Sequence, residues 1–297
     1  MSHNFQHNRV GGNGVNIFMT HTSGYARMVK QWVKGSAKAF NRDEITWPTD
    51  ERFAHLYHAT HNIALAFGHV LRLMAHHISA LEHQQNLRTA DREHIKIIRR
   101  HCSAGVNLAY KLMLFSGSIP IKPEPMDLND VVRNIDSVIS TILKSSANIE
   151  FDLSDENLSV MGDERLLKEV LASLISNAND ATYRNGGTIA VATRRVKREY
   201  RIMDRDKRVF IGSCALLSVV DSGPGIETSI QNQIFEPFFT TRQSGEKMGL
   251  GLSITQSIVR AHRGCLNILS RKGEGTMVRI YLPLIPSHPE DGNTEAA

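Results

Sequence analysis

Five short polar strings in the second half of the chain carry residues that could do chemistry together. Between Leu166 and Ala181, Ser173 and Asn177 are four apart and Asp180 is three further on. Those spacings put all three on one face of a helix. An Asn oxygen suits a hard cation such as Mg²⁺, whose other ligands come from phosphate and water. For Asn177 alone, a polar face meeting solvent is the plainer reading. Asp221 follows the apolar run Leu216 to Val220 and opens the string DSGPG. A carboxylate at a strand end can accept a bond from an exocyclic amine such as that of adenine. Gly223 and Gly225 would let the backbone approach a flat base, although a lone Pro-Gly turn is the bland alternative. Phe235 to Thr241 spells FEPFFTT. Gly249, Leu250, Gly251 and Leu252 open a helix, where backbone N–H groups and the helix dipole can hold phosphates. Gly273-Glu-Gly275-Thr276 precedes a final strand. A single Gly-x-Gly is a weak signal; five strings in this order are a specific one. The chain has no Gly-x4-Gly-Lys-Ser/Thr string, so P-loop chemistry is excluded.

Over about Leu128 to Pro283, these strings resemble the ATP-binding domain shared by histidine kinases, gyrase-type ATPases and Hsp90. FEPFFTT narrows the resemblance to the histidine kinases. The resemblance implies ATP and Mg²⁺ as cofactors. It implies that Asn177 carries the metal, with Ser173 and Asp180 on the same nucleotide-facing side. It assigns Asp221 to adenine, Gly223, Gly225 and Ile226 to the base pocket, and Thr276 to support of the adenine contact. Gly249, Leu250, Gly251 and Leu252 would flank the triphosphate. Thr240 to Met248 would form a mobile lid beside Phe235 and Thr241, with Arg242 and Lys247 available for phosphates. One position departs from the pattern. Ser173 stands where the kinases usually have Asn and the gyrase-type ATPases a water-activating Glu. Without that base, transfer to a protein group is the expected reaction rather than hydrolysis.

The acceptor is sought in the first half. Nine histidines lie between His55 and His101, and for most a solvated helix face is the better reading. His58 differs in context: LYHATHNIALAFGHVLRLMAHHIS resembles the phosphoacceptor helix of histidine kinases, in the subfamily with His, Asn four residues on (here Asn62), and Leu-Arg-Leu (Leu71 to Leu73). His58 is favoured and His61 is the runner-up. A neutral imidazole nitrogen is a competent nucleophile near neutral pH. Most such kinases have an acidic residue after the acceptor; here it is Ala59.

These residues need elements to position them. Apolar residues at Phe53, Leu56, Tyr57, Ile63, Ala64, Phe67, Val70, Leu71, Met74, Ile78 and Leu81 step by threes and fours, which predicts an amphipathic helix. A second follows from Ile95 to Met113. Joined by a short polar stretch, they make a helical hairpin, and a second copy would cover its remaining apolar face as a dimeric four-helix bundle. Ser118 to Pro125, with three prolines, reads as a linker. Asp127 caps a helix, and Asp163 caps another running to Ala181. Ile149–Leu153, Thr188–Thr193, Ala215–Val220, Leu266–Leu269 and Thr276–Leu282 read as strands, and Leu252–Ala261 as a helix. The expected fold class is α+β: the hairpin, then a two-layer α/β sandwich of the Bergerat ATP-binding type. The expected domains are an N-terminal segment of open role (1–50, with Tyr25 to Phe40 as its only candidate helix), the phosphotransfer hairpin (51–117), a linker (118–126), the ATP-binding domain (127–285) and a disordered tail (286–297). Arg194 to Arg208 reads as a basic, solvated hairpin insertion.

Composition narrows the class. The chain has 297 residues with a net charge of +5, too weak and dispersed to imply nucleic acid. Its three cysteines have no metal-type spacing and suggest a reducing compartment. No apolar run reaches membrane-spanning length, and the first residues lack a signal-peptide core. The expectation is a cytoplasmic homodimer that phosphorylates its own histidine and passes the phosphoryl group to an aspartate on a separate response regulator. The alternatives are a phosphotransferase or phosphatase of the same fold, a GHKL ATPase with a conformational role, and a serine kinase acting on a sigma-factor antagonist.

Overall fold

The structure is a computed structural model. It describes residues 7–11, 15–19, 51–82, 88–117, 119–135, 139, 148–182, 186–196, 201–203, 209–211, 213–241 and 248–286, with the backbone path alone for those within 7–19, 51–59 and 201–211. The chain groups into two compact units, Pro48–Pro120, and Met1–Trp47 together with Ile121–Ala297.

The first unit is a hairpin of α1 (Glu51–Glu82) and α2 (Thr89–Phe115). On α1 the side chains shut from water are Thr60, Ala64, Leu71 and Ile78. Their spacing follows one face of the helix, with Gly68 in the same row. Ile78 packs with Ile95 and Cys102 of α2. Small residues set how closely the helices approach. A Cβ on Gly68 would lie 3.3 Å from Ala109 Cβ, and one on Gly105 would lie 2.7 Å from a Leu71 methyl. The apolar pattern read as one stripe therefore divides in two. Ile63, Phe67, Val70, Met74 and Leu81 are 44–63% exposed. Each lies about 100° round the helix from the buried row, so the hairpin alone leaves them uncovered.

The second unit is built on strands β1 (His7–Gly11), β2 (Val15–Met19), β3 (Glu124–Asp127), β4 (Asn148–Asp152), β5 (Ser159–Gly162), β6 (Thr188–Val196), β7 (Arg201–Met203), β8 (Val209–Ile211), β9 (Cys214–Asp221), β10 (Cys265–Arg271) and β11 (Gly275–Pro283). The main sheet runs β1-β2-β4-β6-β9-β11-β10. Its right half is antiparallel, while β4 runs parallel to β6 and β2 parallel to β4. Helices α3 (Leu128–Arg133), α4 (Glu164–Thr182) and α5 (Gly251–Ala261) complete the unit. Helix α4 packs on β6, β9 and α5. Its Val170, Leu171, Leu174 and Ile175 are buried, as the helical spacing predicts, and each contributes about 1.5–3 kcal/mol by leaving water. This is the expected helix-and-sheet sandwich.

Both predicted caps are present. Asp127 Oδ1 accepts from Asn129 N–H at 2.9 Å, and Asp163 Oδ1 from Leu166 N–H at 3.2 Å. Buried Asn129 then donates to the carbonyls of Ser154 and Glu156, fixing α3 to the turn between β4 and β5. Three features differ from the sequence reading. The stretch read as a linker already enters β3 at Glu124, which pairs with β5; Pro125 is tolerated there because this two-stranded sheet is all edge. Part of the first 50 residues forms β1 and β2 and joins the main sheet. Strand β5 also went unread, being only four residues long. The helix considered for Tyr25 to Phe40 and the tail beyond Pro286 lie outside the described residues. At the basic insertion, β7 and β8 form an antiparallel pair.

Candidate functional site

Register sets the floor of the site. Ile189, Asp221, Thr276 and Ser270 form one row across β6, β9, β11 and β10. Asp221 Oδ1 accepts from Gly223 N–H at 2.9 Å. Burial pushes the Asp221 carboxyl up to about 6, against the pull of the Gly223 and Thr276 backbone N–H groups. A buried carboxylate in this state is an avid acceptor for a donor brought by a ligand. Thr276 and Ser270 share a hydroxyl hydrogen bond of 2.9 Å. Ser270 Oγ also accepts from Ile226 N–H at 2.8 Å, tying the turn after Asp221 to the sheet.

The glycines of that turn are required by contact. Gly225 has φ +69°, and a Cβ there would fall 1.9 Å from the Arg271 carbonyl oxygen. Gly275 has φ +95°, with a Cβ position 2.0 Å from the Asp221 carbonyl oxygen. A Cβ on Gly223 would lie 2.8 Å from Ala181 Cβ at the end of α4. The turn after Asp221 therefore meets both the β10–β11 turn and the C-terminal end of α4.

Helix α4 brings its polar face to the start of α5. A Cβ on Gly251 would lie 2.9 Å from Ser173 Oγ and 3.6 Å from Asn177 Nδ2. Ser173, Asn177 and Asp180 are all half-buried. The N-cap of α5 is Leu250, which provides no side-chain bond to the first turn. Amide N–H groups at such an end seek an acceptor from elsewhere, and the dipole favours an anion. Leu250 itself is buried and Leu252 half-buried, so they anchor the turn rather than line it with polar groups.

The segment read as a lid is closed at its neck. Phe238 N–H donates to Gly249 O at 3.1 Å. Gly249 has φ +67°, and a Cβ there would fall 2.4 Å from the Phe239 carbonyl oxygen. Phe238 holds φ 67° without being glycine, a conformation of real cost held by its surroundings. Phe235 is buried and Thr241 exposed. Arg242 and Lys247 lie outside the described residues.

Sequence reasoning missed the braces. His262 is buried; its Nε2 accepts from Asp163 N–H at 2.9 Å and its Nδ1 stands 2.8 Å from Ile258 O. It links the end of α5 to the start of α4, the two helices that carry the site. Ser270 and Gln231, which donates to Ile226 O and Ser270 O, hold the turn. Short polar residues on a strand look like a solvent face in sequence, and only the β10–β11 register puts Ser270 against Thr276. The cysteines belong elsewhere: burial pushes the Cys214 thiol up to about 12, so it is no nucleophile. In the other unit, Asn62 is exposed on α1, and only the backbone is described at His58.

Residues 162–286 match the family described as the histidine kinase-, DNA gyrase B- and HSP90-like ATPases. Sensor kinase CckA of Brucella abortus is 31% identical over 193 residues, covering 63% of this chain and 20% of that protein. Signal transduction histidine-protein kinase AtoS of Escherichia coli is 28% identical over 205 residues, 68% of this chain and 31% of that protein. Sensory histidine kinase/phosphatase NtrB of Rhodobacter capsulatus is 30% identical over 184 residues, 61% of this chain and 49% of that protein. The chain thus spans from a fifth to about half of the length of these relatives. Among solved structures, full-length ShkA in complex with AMPPNP superposes with a TM-score of 0.57 at 21% identity, over 80% of this chain and 46% of that one, a likeness of fold.

Proposed function

On the premise that this chain belongs to the two-component histidine kinases, with their GHKL-type ATP-binding domain, we propose that it phosphorylates its own His58 from ATP and passes the group to a response regulator. The observation that carries this reading is the meeting of the Ser173/Asn177 face with the open N-terminus of α5, in the unit where Asp221 is buried. Asp221 accepts from the exocyclic amine of adenine, with Thr276 steadying the row and Gly223, Gly225 and Ile226 forming the wall of the base pocket. The first-turn amides of α5 receive the phosphates. Phe235 and Thr241 flank the lid, where Arg242 and Lys247 add positive charge.

The donor set fits Mg²⁺. Asn177 offers a neutral oxygen, with Ser173 and Asp180 on the same face, and among the described residues no group of three or more His, Cys, Asp or Glu side chains gathers to hold a metal. A hard cation at Asn177 would therefore draw its remaining ligands from phosphates and water, where it would neutralise charge on the transferring group. In the step itself, an imidazole nitrogen of His58 attacks the γ-phosphorus as the bond to the ADP oxygen breaks. A nitrogen–phosphorus bond forms, ADP departs, and the proton on the other ring nitrogen is lost. Positioning and charge neutralisation supply most of the catalysis. The exposed row Ile63, Phe67, Val70, Met74 and Leu81 supports a homodimer through α1. The phosphoryl group then moves to an aspartate of a separate receiver protein. No helix among the described residues is long and apolar enough to cross a membrane; the free buried cysteines and the need for ATP favour the cytoplasm.

The test is incubation of the purified chain with γ-labelled ATP and Mg²⁺. The expected product is acid-labile, base-stable phosphate on the protein, lost in His58→Gln and kept in His61→Gln. A parent that takes no label, or a His58→Gln that labels as well as the parent, would sink the reading. Acid-stable label would point to serine instead.

A further inference from the structure

We propose that the β1–β2 pair is a releasable strand clip that docks on the edge of β4, so that a segment ahead of the helical hairpin acts directly on the ATP-binding unit. Its regulatory half rests on the kinase reading above; its docking half does not.

Strand β4 pairs with β6 on one side, and without a partner its other side would present open N–H and C=O groups. Strand β2 fills that side in parallel register, Ile17 with Ile149, Phe18 with Glu150 and Met19 with Phe151. Strand β1 closes β2 as an antiparallel hairpin, from His7 opposite Met19 to Gly11 opposite Val15. The new outer edge, His7-Asn-Arg-Val-Gly11, is short and carries Asn8 and Arg9, the composition that blunts an edge against further pairing.

The clip is poised to leave. Its ladder on β4 has three residue pairs, and parallel pairing is the weaker kind. Met19 and Asn148 are joined through the whole helical hairpin, so docking closes a long loop at an entropic cost. Glu150, the register partner of Phe18, has Oε2 shut from water with no hydrogen-bond partner. Such a group favours any opening that wets it. These features put the clip at the low end of local stability.

Connectivity gives the release a consequence. While the clip is docked, the chain is paired into the sheet-bearing unit on both sides of the helical hairpin in sequence, through β2 up to Met19 and through β3 from Glu124. On release only the pairing from Glu124 onward remains. Autophosphorylation needs the catalytic unit to reach a histidine on the helices, so the second tether restrains it and release speeds labelling.

The experiment is hydrogen exchange read amide by amide on the full chain, comparing the parent with Ile17→Pro and Phe18→Pro. Successive residues of a strand bond to opposite neighbours, so between them the two variants remove one β4-facing and one β1-facing amide. In the parent every amide from Asn148 to Asp152 is protected. In the variants alternate amides of β4 exchange about tenfold faster or more, while those of β9 and β11 are unchanged and report an intact sheet. Labelling from γ-labelled ATP rises several-fold. An alternating pattern already present in the parent, or unchanged β4 protection in both variants, overturns the docking. Deprotected β4 with unchanged or slower labelling overturns the regulation. A parent that takes no label ends the kinase reading and the regulatory half with it, and the exchange pattern still decides the docking.

Discussion

Ser173 stands directly against Gly251: a Cβ on the glycine would come within 2.9 Å of the serine hydroxyl oxygen. The contact joins the middle of α4 to the first turn of α5, the two elements proposed to share the metal-bound triphosphate. Alanine is the better helix former, so Gly251→Ala should leave thermal stability unchanged or slightly raised. It should nonetheless weaken ATP binding about tenfold, or 1.4 kcal/mol, by pushing Ser173 and Asn177 off their positions. Gly251→Ala combined with Ser173→Gly should recover part of the loss. Calorimetric titration with ATP and Mg²⁺ checks this, and equal affinity in parent and single variant would remove the contact from the site. Asn177→Ala, by contrast, should weaken binding chiefly in the presence of Mg²⁺.

Asp221 predicts opposite pH trends for stability and binding. Its carboxyl rises from 3.8 to about 6 in the fold. Between those values the native state holds a proton that the unfolded chain releases. The unliganded fold therefore gains stability as pH falls from about 7 toward 4, and above pH 6 the ionised buried group withholds up to about 3 kcal/mol. In the role proposed for Asp221, ATP meets the ionised acceptor, so its affinity should fall over the same descent. Asp221→Asn should flatten both curves and bind ATP weakly throughout. Urea melts and calorimetry at pH 5 and 7.5 decide the matter; parallel curves for parent and variant would clear Asp221 of both effects.

Glycines predict a graded series in the fold. Gly225→Ala and Gly275→Ala combine positive φ with Cβ positions 1.9 and 2.0 Å from carbonyl oxygens. Each should cost about 2–4 kcal/mol. Gly273 also has positive φ, +83°, but a Cβ there would meet nothing within 4 Å. Gly273→Ala should cost only about 1 kcal/mol. Denaturant melts rank the three, and a Gly273 variant as damaged as the others would mean that φ rather than contact governs the turn.

Legibility in the sequence followed the reach of each interaction. Helices α4 and α5 and the strands β6, β9 and β11 were readable, because Val170, Leu171, Leu174 and Ile175 repeat at helical spacing and Leu216 to Val220 are apolar but for Ser218. The caps Asp127 and Asp163 were readable because capping is local. The row Asp221–Thr276–Ser270 was readable only as far as the motifs carried Asp221 and Thr276; Ser270, six residues before Thr276, depends on cross-strand register, which the residue pattern does not state. Strands β1 and β2 were hidden for the same reason, since their partner β4 lies beyond the hairpin. The two rows on α1 merged because residues one apart in sequence, Ile63 and Ala64, share apolar character but not a face.

The exposed row of α1 predicts association. Ile63 is 63% and Val70 52% exposed, so the double variant Ile63→Glu/Val70→Glu should keep its helical signal yet sediment as a monomer where the parent is a dimer. Ile78, 6% exposed, is the contrast: Ile78→Glu buries an unpaired charge and should unfold the hairpin itself. A parent that is monomeric at micromolar concentration would end the dimer proposal.

The residue after His58 predicts the rate of the chemistry. Ala59 and Thr60 follow it, so no carboxylate is adjacent to hold the imidazole and draw off its second proton. Thr60 is also buried, and its hydroxyl is no base. General-base assistance is worth about a hundredfold in rate, so unaided labelling should be slow. Exposed Asn62, one turn along α1, can offer a neutral oxygen but cannot take a proton. Ala59→Glu should therefore speed accumulation of acid-labile phosphate, with its largest gain above the pH at which the new carboxylate ionises. Ala59→Gln, similar in size but unable to act as a base, should give little of that gain. Equal acceleration by both would assign the effect to helix packing. A slower Ala59→Glu with an unchanged helical spectrum would refute the orienting base while leaving His58 as the acceptor.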